Sequence, residues 1–368
     1  MRRTTPIKVL IVDDSPLVRS ILTRVLSSEE DIAVVGGAKD PYEARELIIG
    51  FRPDVIILDI EMPRMDGLTF LKKLMAHYPV PVIMCSGVAP ANSRAALQAI
   101  EDGAVDVVAK PSRGGSLALR RLGEELAEII RAAAVAMPAP PPIPASVTSA
   151  PSSFHAVGLD PQRYLVALGA STGGTEATKT LLSHAPADWP PVVIVQHIPE
   201  EFTESFAGRL DKFSRLHVTR AVDGDPLVPG RALLADGTAQ MTVRSNGAQW
   251  GVAYGSDQPV NRHCPSVDVL FDSVANIMMG RAPKPARCCI GILLTGMGAD
   301  GAKGLLKMRQ AGAITIAQDR KSCVVYGMPK VAADIGAVQH TGPPAGIPRI
   351  LLQAILRQRA ANPAGSRA

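Results

Sequence analysis

Long apolar runs, paired cysteines and aromatic side chains are all scarce in this sequence, and each scarcity removes a class of protein. No uninterrupted apolar stretch reaches the ~20 residues of a spanning helix, so insertion into a membrane is not expected. The N-terminal Met1-Arg-Arg-Thr-Thr-Pro-Ile-Lys8 runs into a short apolar segment ended by two aspartates, without the small-residue cleavage region of a signal peptide. A cytoplasmic protein is the expectation. The five cysteines, Cys85, Cys264, Cys288, Cys289 and Cys323, are odd in number, scattered and without a C-x-x-C pair, which argues for reduced thiols over disulfides or zinc. Aromatic residues make up only 4% of the chain and the basic residues are dispersed, so nothing marks a nucleic-acid surface. A net charge of +5 favours, at most, encounter with an acidic partner.

What is present is enough apolar material for filled cores: 46% hydrophobic residues in 368, which suits roughly two domains. A break in composition divides them. From Arg131 to Gln162 the chain is rich in Ala, Pro and Ser, a semi-extended tether with little to bury. The expected organisation is a domain over 5–130, a linker over 131–162 and a second domain over 163–359. In the first, the apolar runs Ile7–Val12, Ile32–Val35, Val55–Leu58, Val80–Cys85 and Asp106–Ala109 alternate with helical patterns, which predicts a five-stranded, doubly wound parallel sheet. The second opens in the same α/β manner with Tyr164–Leu168 and Val192–Val195, and returns to it at Cys289–Leu294 and Ala313–Ala317. Between Val218 and Val252, Asp-Gly, Pro-Gly and Asn-Gly turns predict a β-hairpin insertion.

The predicted strands of the first domain end in chemistry. Asp13 and Asp14 follow the first, Asp59 the third, Ser86 the fourth and Lys110 the fifth, all on one edge of a parallel sheet. Three converging carboxylates repel one another unless a hard cation lies among them, and Mg²⁺ takes oxygen ligands while keeping waters. A carboxylate can also attack phosphorus to give an aspartyl phosphate, for which Asp59 is best placed, with Lys110 and the Ser86 hydroxyl holding the phosphoryl oxygens.

In the second domain, Gly169-Ala-Ser171-Thr-Gly173 matches G-x-S-x-G between a strand and a helix, the setting of a nucleophile elbow. His197 and Asp300 each follow a predicted strand, so Ser, His and Asp can converge where an open α/β sheet binds ligands. The same residues admit another chemistry. Gly296-Met-Gly298-Ala-Asp-Gly301 is also a G-x-G-x-x-G turn, with Asp319 about 20 residues on, as in nicotinamide dinucleotide-binding folds. A non-enzymatic regulator with a partner-binding second domain is a third possibility.

Wider resemblances separate these readings. Asp13-Asp14, Asp59-Ile-Glu-Met-Pro-Arg-Met-Asp-Gly67, Ser86 and Ala109-Lys110-Pro111 resemble the receiver domain of two-component response regulators. That resemblance implies a flavodoxin-like fold, Mg²⁺ held by Asp14, Asp59 and the backbone of Glu61 with Asp13 assisting, and phosphorylation of Asp59 by a histidine kinase. Val107 stands where receivers often carry a switch aromatic. From about Tyr164 to Ala354 the chain resembles the catalytic domain of bacterial chemotaxis protein-glutamate methylesterases, through Gly169-Ala-Ser-Thr-Gly-Gly-Thr-Glu176, Gln196-His-Ile-Pro199, Pro265-Ser-Val-Asp-Val-Leu-Phe271, Gly296–Gly301 and Val325-Tyr-Gly-Met-Pro329. This implies a Rossmann-like catalytic domain with Ser171 as nucleophile, His197 as general base and acid, Asp300 as orienting carboxylate and the Met297 amide in the oxyanion hole. It also implies demethylation, and deamidation of glutamines, on chemoreceptor helices, with no cofactor for the esterase. The expected partners are methylated chemoreceptors and a chemotaxis histidine kinase; a monomer is the expected state. Cys264 and Arg320 depart from the residues common at their positions, Arg and Glu.

Overall fold

Strands made almost entirely of Val, Ile and Leu have no polar face to turn to water, so both sides of such a sheet must be covered by helices. The computed structural model, which describes residues 5–87, 90–110, 116–134, 153–245, 250–280 and 288–361, meets this requirement in two separate compact units, Met1–Ala145 and Ser146–Ala368.

In the first unit β1 (Ile7–Val12), β2 (Ile32–Ala38), β3 (Val55–Asp59), β4 (Val82–Ser86) and β5 (Asp106–Ala109) pair in parallel in the order β2-β1-β3-β4-β5. That is the flavodoxin-like order, with its reversal between β1 and β3. Helices α1 (Pro16–Leu26), α2 (Pro41–Phe51), α3 (Gly67–His77) and α4 (Pro90–Glu101) make the crossovers, and α5 (Ser116–Ala133) follows β5. The first three start on Ser15, Asp40 and Asp66, whose side chains accept from amides of the first turn, and Pro16 and Pro41 supply a preset helical φ where no amide is needed.

The second unit contains β6 (Tyr164–Ala170), α6 (Gly174–His184), β7 (Val192–Gln196), α7 (Glu200–Phe213), β8 (His217–Arg220), β9 (Arg231–Leu234), β10 (Met241–Ser245), β11 (Trp250–Tyr254), α8 (Val267–Met279), β12 (Cys288–Leu293), α9 (Ala302–Gln310), β13 (Ile314–Gln318), α10 (Met328–Asp334), β14 (His340–Gly342) and α11 (Ile347–Ala361). Its seven-stranded sheet is parallel throughout, in the order β14-β13-β12-β6-β7-β9-β8. The order of winding reverses between β6 and β12, a Rossmann-like switch point.

The expected hairpin insertion is smaller than its turns suggest. Among the described residues only β10 and β11 form a hairpin; β8 and β9 pair in parallel at the edge of the main sheet, because the Asp223-Gly224 and Pro229-Gly230 turns shape a return connection that carries the chain back alongside β8. The Asn246-Gly247 turn lies outside the described residues. Trp250, Val252 and Met241 of the hairpin are buried with Val195, Leu270 and Phe271 in one core, so the insertion is fastened against α8.

The tether expected over 131–162 overlaps ordered structure at both ends. Helix α5 continues to Ala133, and Phe154 is fully buried, edge-on to Trp189 at 5.5 Å and Tyr164 at 5.9 Å; residues 135–152 lie outside the described residues. Asp188 holds this segment by accepting from the His155 amide at 2.9 Å and from the Ser153 hydroxyl. Removing a fully buried aromatic costs roughly 3–5 kcal/mol. Phe154→Ala is therefore expected to destabilise the second unit by about that amount, read by urea unfolding of the full chain through Trp189 and Trp250, its only two tryptophans. A loss below about 1 kcal/mol would mean that the segment merely rests on the unit.

Candidate functional sites

Both switch points carry the polar residues singled out from the sequence. In the first unit, Asp13 follows β1 and is 1% exposed, Asp14 is exposed, and Asp59 ends β3 and is 1% exposed. Lys110, just past β5, reaches both buried carboxylates, with Nζ 2.6 Å from Asp59 Oδ2 and 3.1 Å from Asp13 Oδ2. The Glu61 amide donates to Asp59 Oδ1 at 3.2 Å and the Ser15 amide to Asp13 Oδ1 at 2.8 Å. Ser86 is the last residue of β4, its hydroxyl donating to the Gly87 carbonyl at 3.1 Å, and Val107 is buried within β5. The structure thus gathers all the acidic and basic residues expected at this edge.

The charges do not balance. One ammonium faces two buried carboxylates and a third at the rim, and oxygens of Asp13, Asp14 and Asp59 lie within 4.8 Å of one another. Burial, together with the neighbouring Asp13 charge and against the pull of Lys110, raises the Asp59 carboxyl to about 6. A divalent cation suits this donor set, being all oxygen and short of positive charge. Gly67 keeps the loop closed over it: a Cβ there would stand 2.0 Å from the Asp59 carbonyl oxygen.

In the second unit the dominant object is the Asp300 carboxylate, 3% exposed. Its Oδ2 accepts from His197 Nε2 at 3.0 Å and the Val267 amide at 2.7 Å; its Oδ1 accepts from Asn261 Nδ2 and Ser266 Oγ, each at 2.7 Å, and from the Asp268 amide at 3.3 Å. Burial alone would raise the carboxyl; the donors, His197 first, hold it well below the usual carboxylate range. Two of them are the opening amides of α8, which therefore presents its positive end to the charge. This approach depends on glycine. A Cβ at Gly169 in β6 would lie 2.1 Å from Val267 Cγ1, and one at Gly301 would lie 2.5 Å from it.

His197 follows β7, with its amide bonded to the Ala170 carbonyl at 3.0 Å, so it stands beside the turn that carries Ser171. With Nε2 engaged by Asp300, Nδ1 is buried and has no hydrogen-bond partner among the described residues, Ser171 included. Gln196 ties the two segments together, its Nε2 donating to the carbonyls of Ser171 at 2.9 Å and His197 at 3.3 Å. The turn itself is glycine by necessity: Gly173 has φ +74° and its Cβ would meet Val324 at 2.5 Å, while a Cβ on Gly174 would meet Gln196 Oε1 at 2.5 Å. Thr172, next to Ser171, and Met297 donate their amides to no backbone carbonyl among the described residues.

In the Gly296–Gly301 turn the first glycine is committed to contacts within the protein. The Gly296 amide and carbonyl are taken by residues 325–328, through Val325 O at 3.2 Å and the amides of Gly327 and Met328 at 3.1 and 2.8 Å. A Cβ on Gly296 would sit 2.2 Å from Met328 Sδ and 2.7 Å from Ser171 Cβ. Gly296 thus serves close packing beside the serine and Gly301 packing against Val267, whereas a Cβ on Gly298, φ +78°, would meet nothing within 4 Å. Asp319 accepts from the Ser322 amide at 2.9 Å, a local turn.

Several participants carry no motif of their own in the sequence. Asn261, His263 and Gln240 belong to none of the strand ends, yet the His263 ring stacks on His197, centroids 3.6 Å apart and planes 11° from parallel. Gln240 pins their loop, donating to the carbonyls of Gln258 and His263, each at 3.0 Å, and accepting from the Ser266 amide at 2.7 Å. The clue available was the turn-rich stretch from Ser256 to Pro265 just ahead of an apolar helix, which by itself points only to a loop.

Comparisons with known proteins assign each unit to a family. Residues 166–351 match the CheB methylesterase family and residues 9–120 the response regulator receiver domain. Similar proteins include protein-glutamate methylesterase/protein-glutamine glutaminase 2 of Hahella chejuensis, 49% identical over 344 residues that cover 90% of this chain and 92% of that one. The protein of the same name in Pseudomonas aeruginosa is 46% identical over 366 residues, covering 97% and 99%. Among solved structures, the Thermotoga maritima CheB methylesterase catalytic domain is 34% identical with a TM-score of 0.48, covering 52% of this chain and 98% of that one. The response regulator domain of the Thermotoga maritima CheB is 42% identical with a TM-score of 0.33, covering 36% and 99%.

A ligand that binds only the folded state adds about 2.7 kcal/mol at a hundred times its dissociation constant. Millimolar Mg²⁺ is thus expected to raise the melting temperature of the first unit, followed by calorimetry, and Asp13→Asn to remove most of that rise. An unchanged melting temperature in the unsubstituted protein would mean that Lys110 alone satisfies the cluster.

Proposed function

This chain belongs to the CheB methylesterase family, and from that premise we propose that Ser171, His197 and Asp300 hydrolyse glutamyl methyl esters on chemoreceptor helices under control of phosphorylation at Asp59. The observation that carries the reading is the 3.0 Å contact between His197 Nε2 and a buried, five-fold clamped Asp300, beside the Ser171 turn.

The hydrogen-bond pattern assigns the proton inventory. Asp300 accepts from Nε2–H, so the lone pair lies on Nδ1, the nitrogen without a partner. Ser171 Oγ attacks the ester carbonyl carbon while Nδ1 takes its proton. The amides of Thr172 and Met297 receive the developing oxyanion, an arrangement worth several kcal/mol in such sites. Collapse breaks the bond to the methoxy oxygen, which takes the proton from Nδ1 and leaves as methanol. Water then attacks the acyl-enzyme, giving its proton to Nδ1; the glutamate carboxylate is released and Ser171 recovers its hydrogen. With a glutamine substrate the same acyl-enzyme forms and ammonia leaves in place of methanol. The esterase steps call on no cofactor.

In the receiver domain, a carboxylate oxygen of Asp59 attacks the phosphorus of a phosphohistidine on the chemotaxis kinase; the P–N bond breaks and its electron pair stays on the imidazole. Lys110 and the Ser86 hydroxyl then take phosphoryl oxygens. Asp13, Asp14, Asp59 and the Glu61 backbone would hold Mg²⁺, which when bound offsets charge on the transferring group. We place this chemistry in the cytoplasm, with the chain acting as a monomer and with no nucleic-acid partner.

Methanol release from methylated receptor membranes tests the assignment. Ser171→Ala is expected to leave below about a tenth of wild-type turnover, a barrier increase above ~1.4 kcal/mol. Asp300→Asn, which keeps the shape but removes the charge facing an imidazolium, is expected to lose roughly 10³–10⁴-fold. Normal turnover in either variant would reject the triad. A phosphodonor with Mg²⁺ is expected to raise the rate of the full chain severalfold, and Asp59→Asn to abolish that rise while sparing basal turnover; an equal rise in the Asn variant would remove Asp59 from control.

A further inference from the structure

A single hydrogen bond fixes one point of an imidazole ring and leaves its plane free to turn about the donor–acceptor line. His197 is held at Nε2 by Asp300, so a second contact must set the direction of Nδ1. The face of the ring is covered by His263, at 3.6 Å between centroids and 11° between planes. We propose that His263 is a positioning residue for the base: it locks the plane of His197 so that Nδ1 meets the serine proton, and keeps water off that face. This rests on the Ser171–His197–Asp300 reading.

His263 is well built for the task. Its amide and carbonyl pair with the carbonyl and amide of Val260, both at 2.9 Å, and its carbonyl also takes Gln240 Nε2 at 3.0 Å. The same loop brings Asn261 and Ser266 to Asp300, so one segment holds both the carboxylate and the ring that the carboxylate orients. The charged neighbours of the two rings are Asp300, Arg262 beside His263 along the chain, and Asp268 behind Asp300, which shares the Asn261 amide. Burial, the facing His197 and Arg262 push His263 down to about 3, against the pull of Asp300. His263 therefore stays neutral while His197 gains and loses its proton. Two stacked imidazoliums would repel, so the proton taken from Ser171 has one place to go.

The test is the pH dependence of methanol release by the full chain, phosphodonor and Mg²⁺ present, for wild type, His263→Ala and His263→Phe, with Ser171→Ala as reference. Misdirecting a catalytic group can cost about 10²-fold. His263→Ala is expected to lower kcat about 10–100-fold with KM within about twofold, and to move the acid limb of kcat/KM to higher pH, because water reaching the opened face stabilises the protonated ring. His263→Phe keeps the face contact, so it is expected to hold kcat within a few-fold of wild type and to leave the limb in place. Wild-type kcat and limb in the Ala variant overturn the proposal, as does equal impairment of Ala and Phe with an unmoved limb, the pattern of simple packing loss. If Trp fluorescence shows the Ala variant unfolded, His263→Asn, ringless but polar, is held to the same outcomes. An active Ser171→Ala rejects the underlying triad, whereas an inactive one beside a wild-type-like His263→Ala rejects the clamp alone.

Discussion

The second domain is organised around one buried negative charge. Removing a carboxylate from water costs several kcal/mol unless donors replace the lost solvent, and Asp300 receives five, from a histidine, an asparagine, a serine and two helix-terminal amides. Those donors come from two places in the chain and the charge sits in a third, so satisfying it dictates how β7, the loop before α8 and the turn after β12 meet. The helix can come this close only because Gly169 and Gly301 have no Cβ to collide with Val267. The two glycines and the carboxylate form one device: small residues admit the helix, the helix stabilises the charge, and the charge aims the histidine.

The two domains apply the same topology to opposite electrostatic ends. Each puts its polar residues where a parallel sheet reverses its winding, since strand ends diverge there and leave a crevice. In the receiver the crevice is left short of positive charge, with Lys110 shared between two buried carboxylates, and Asp59 is held at about 6 by burial and its acidic neighbour. Such a site responds to whatever brings charge to it, a cation or a phosphoryl group. In the catalytic domain Asp300 is saturated with donors that hold its carboxyl well below the usual carboxylate range, so it keeps its charge beside His197. A responsive site suits regulation; an invariant one suits repeated proton transfer.

The alternation of apolar runs with amphipathic segments was enough to predict two α/β domains, because buried parallel strands must be apolar throughout and periodic helices must cover them. It also placed Asp13, Asp59, Ser86, Lys110, Ser171 and His197 at strand ends, since a polar residue closing an apolar run has no other location in such a sheet; Asp300, in the turn beyond β12, followed by the same logic. The G-x-G-x-x-G turn was open to two chemistries, and local spacing had no means of choosing between them. The tertiary structure shows the first glycine of the turn closed by Met328 and by the return of residues 325–328, beside Ser171.

The tertiary structure alone decided how the proposed triad is supported. Asn261 and Ser266 reach Asp300 across 39 and 34 positions, Gln240 reaches Ser266 across 26, and His263 stacks on His197 from a distant part of the chain. No periodicity or motif encodes such pairings, because they arise when a loop ahead of one helix is laid over the ends of strands from another part of the sheet. The edge pairing of β8 with β9 escaped the sequence for the same reason: turn residues announce that the chain reverses, and the partner a strand then finds depends on which edge of the sheet is still open. Local chemistry named the reacting groups; the long-range fold set the direction in which each one faces.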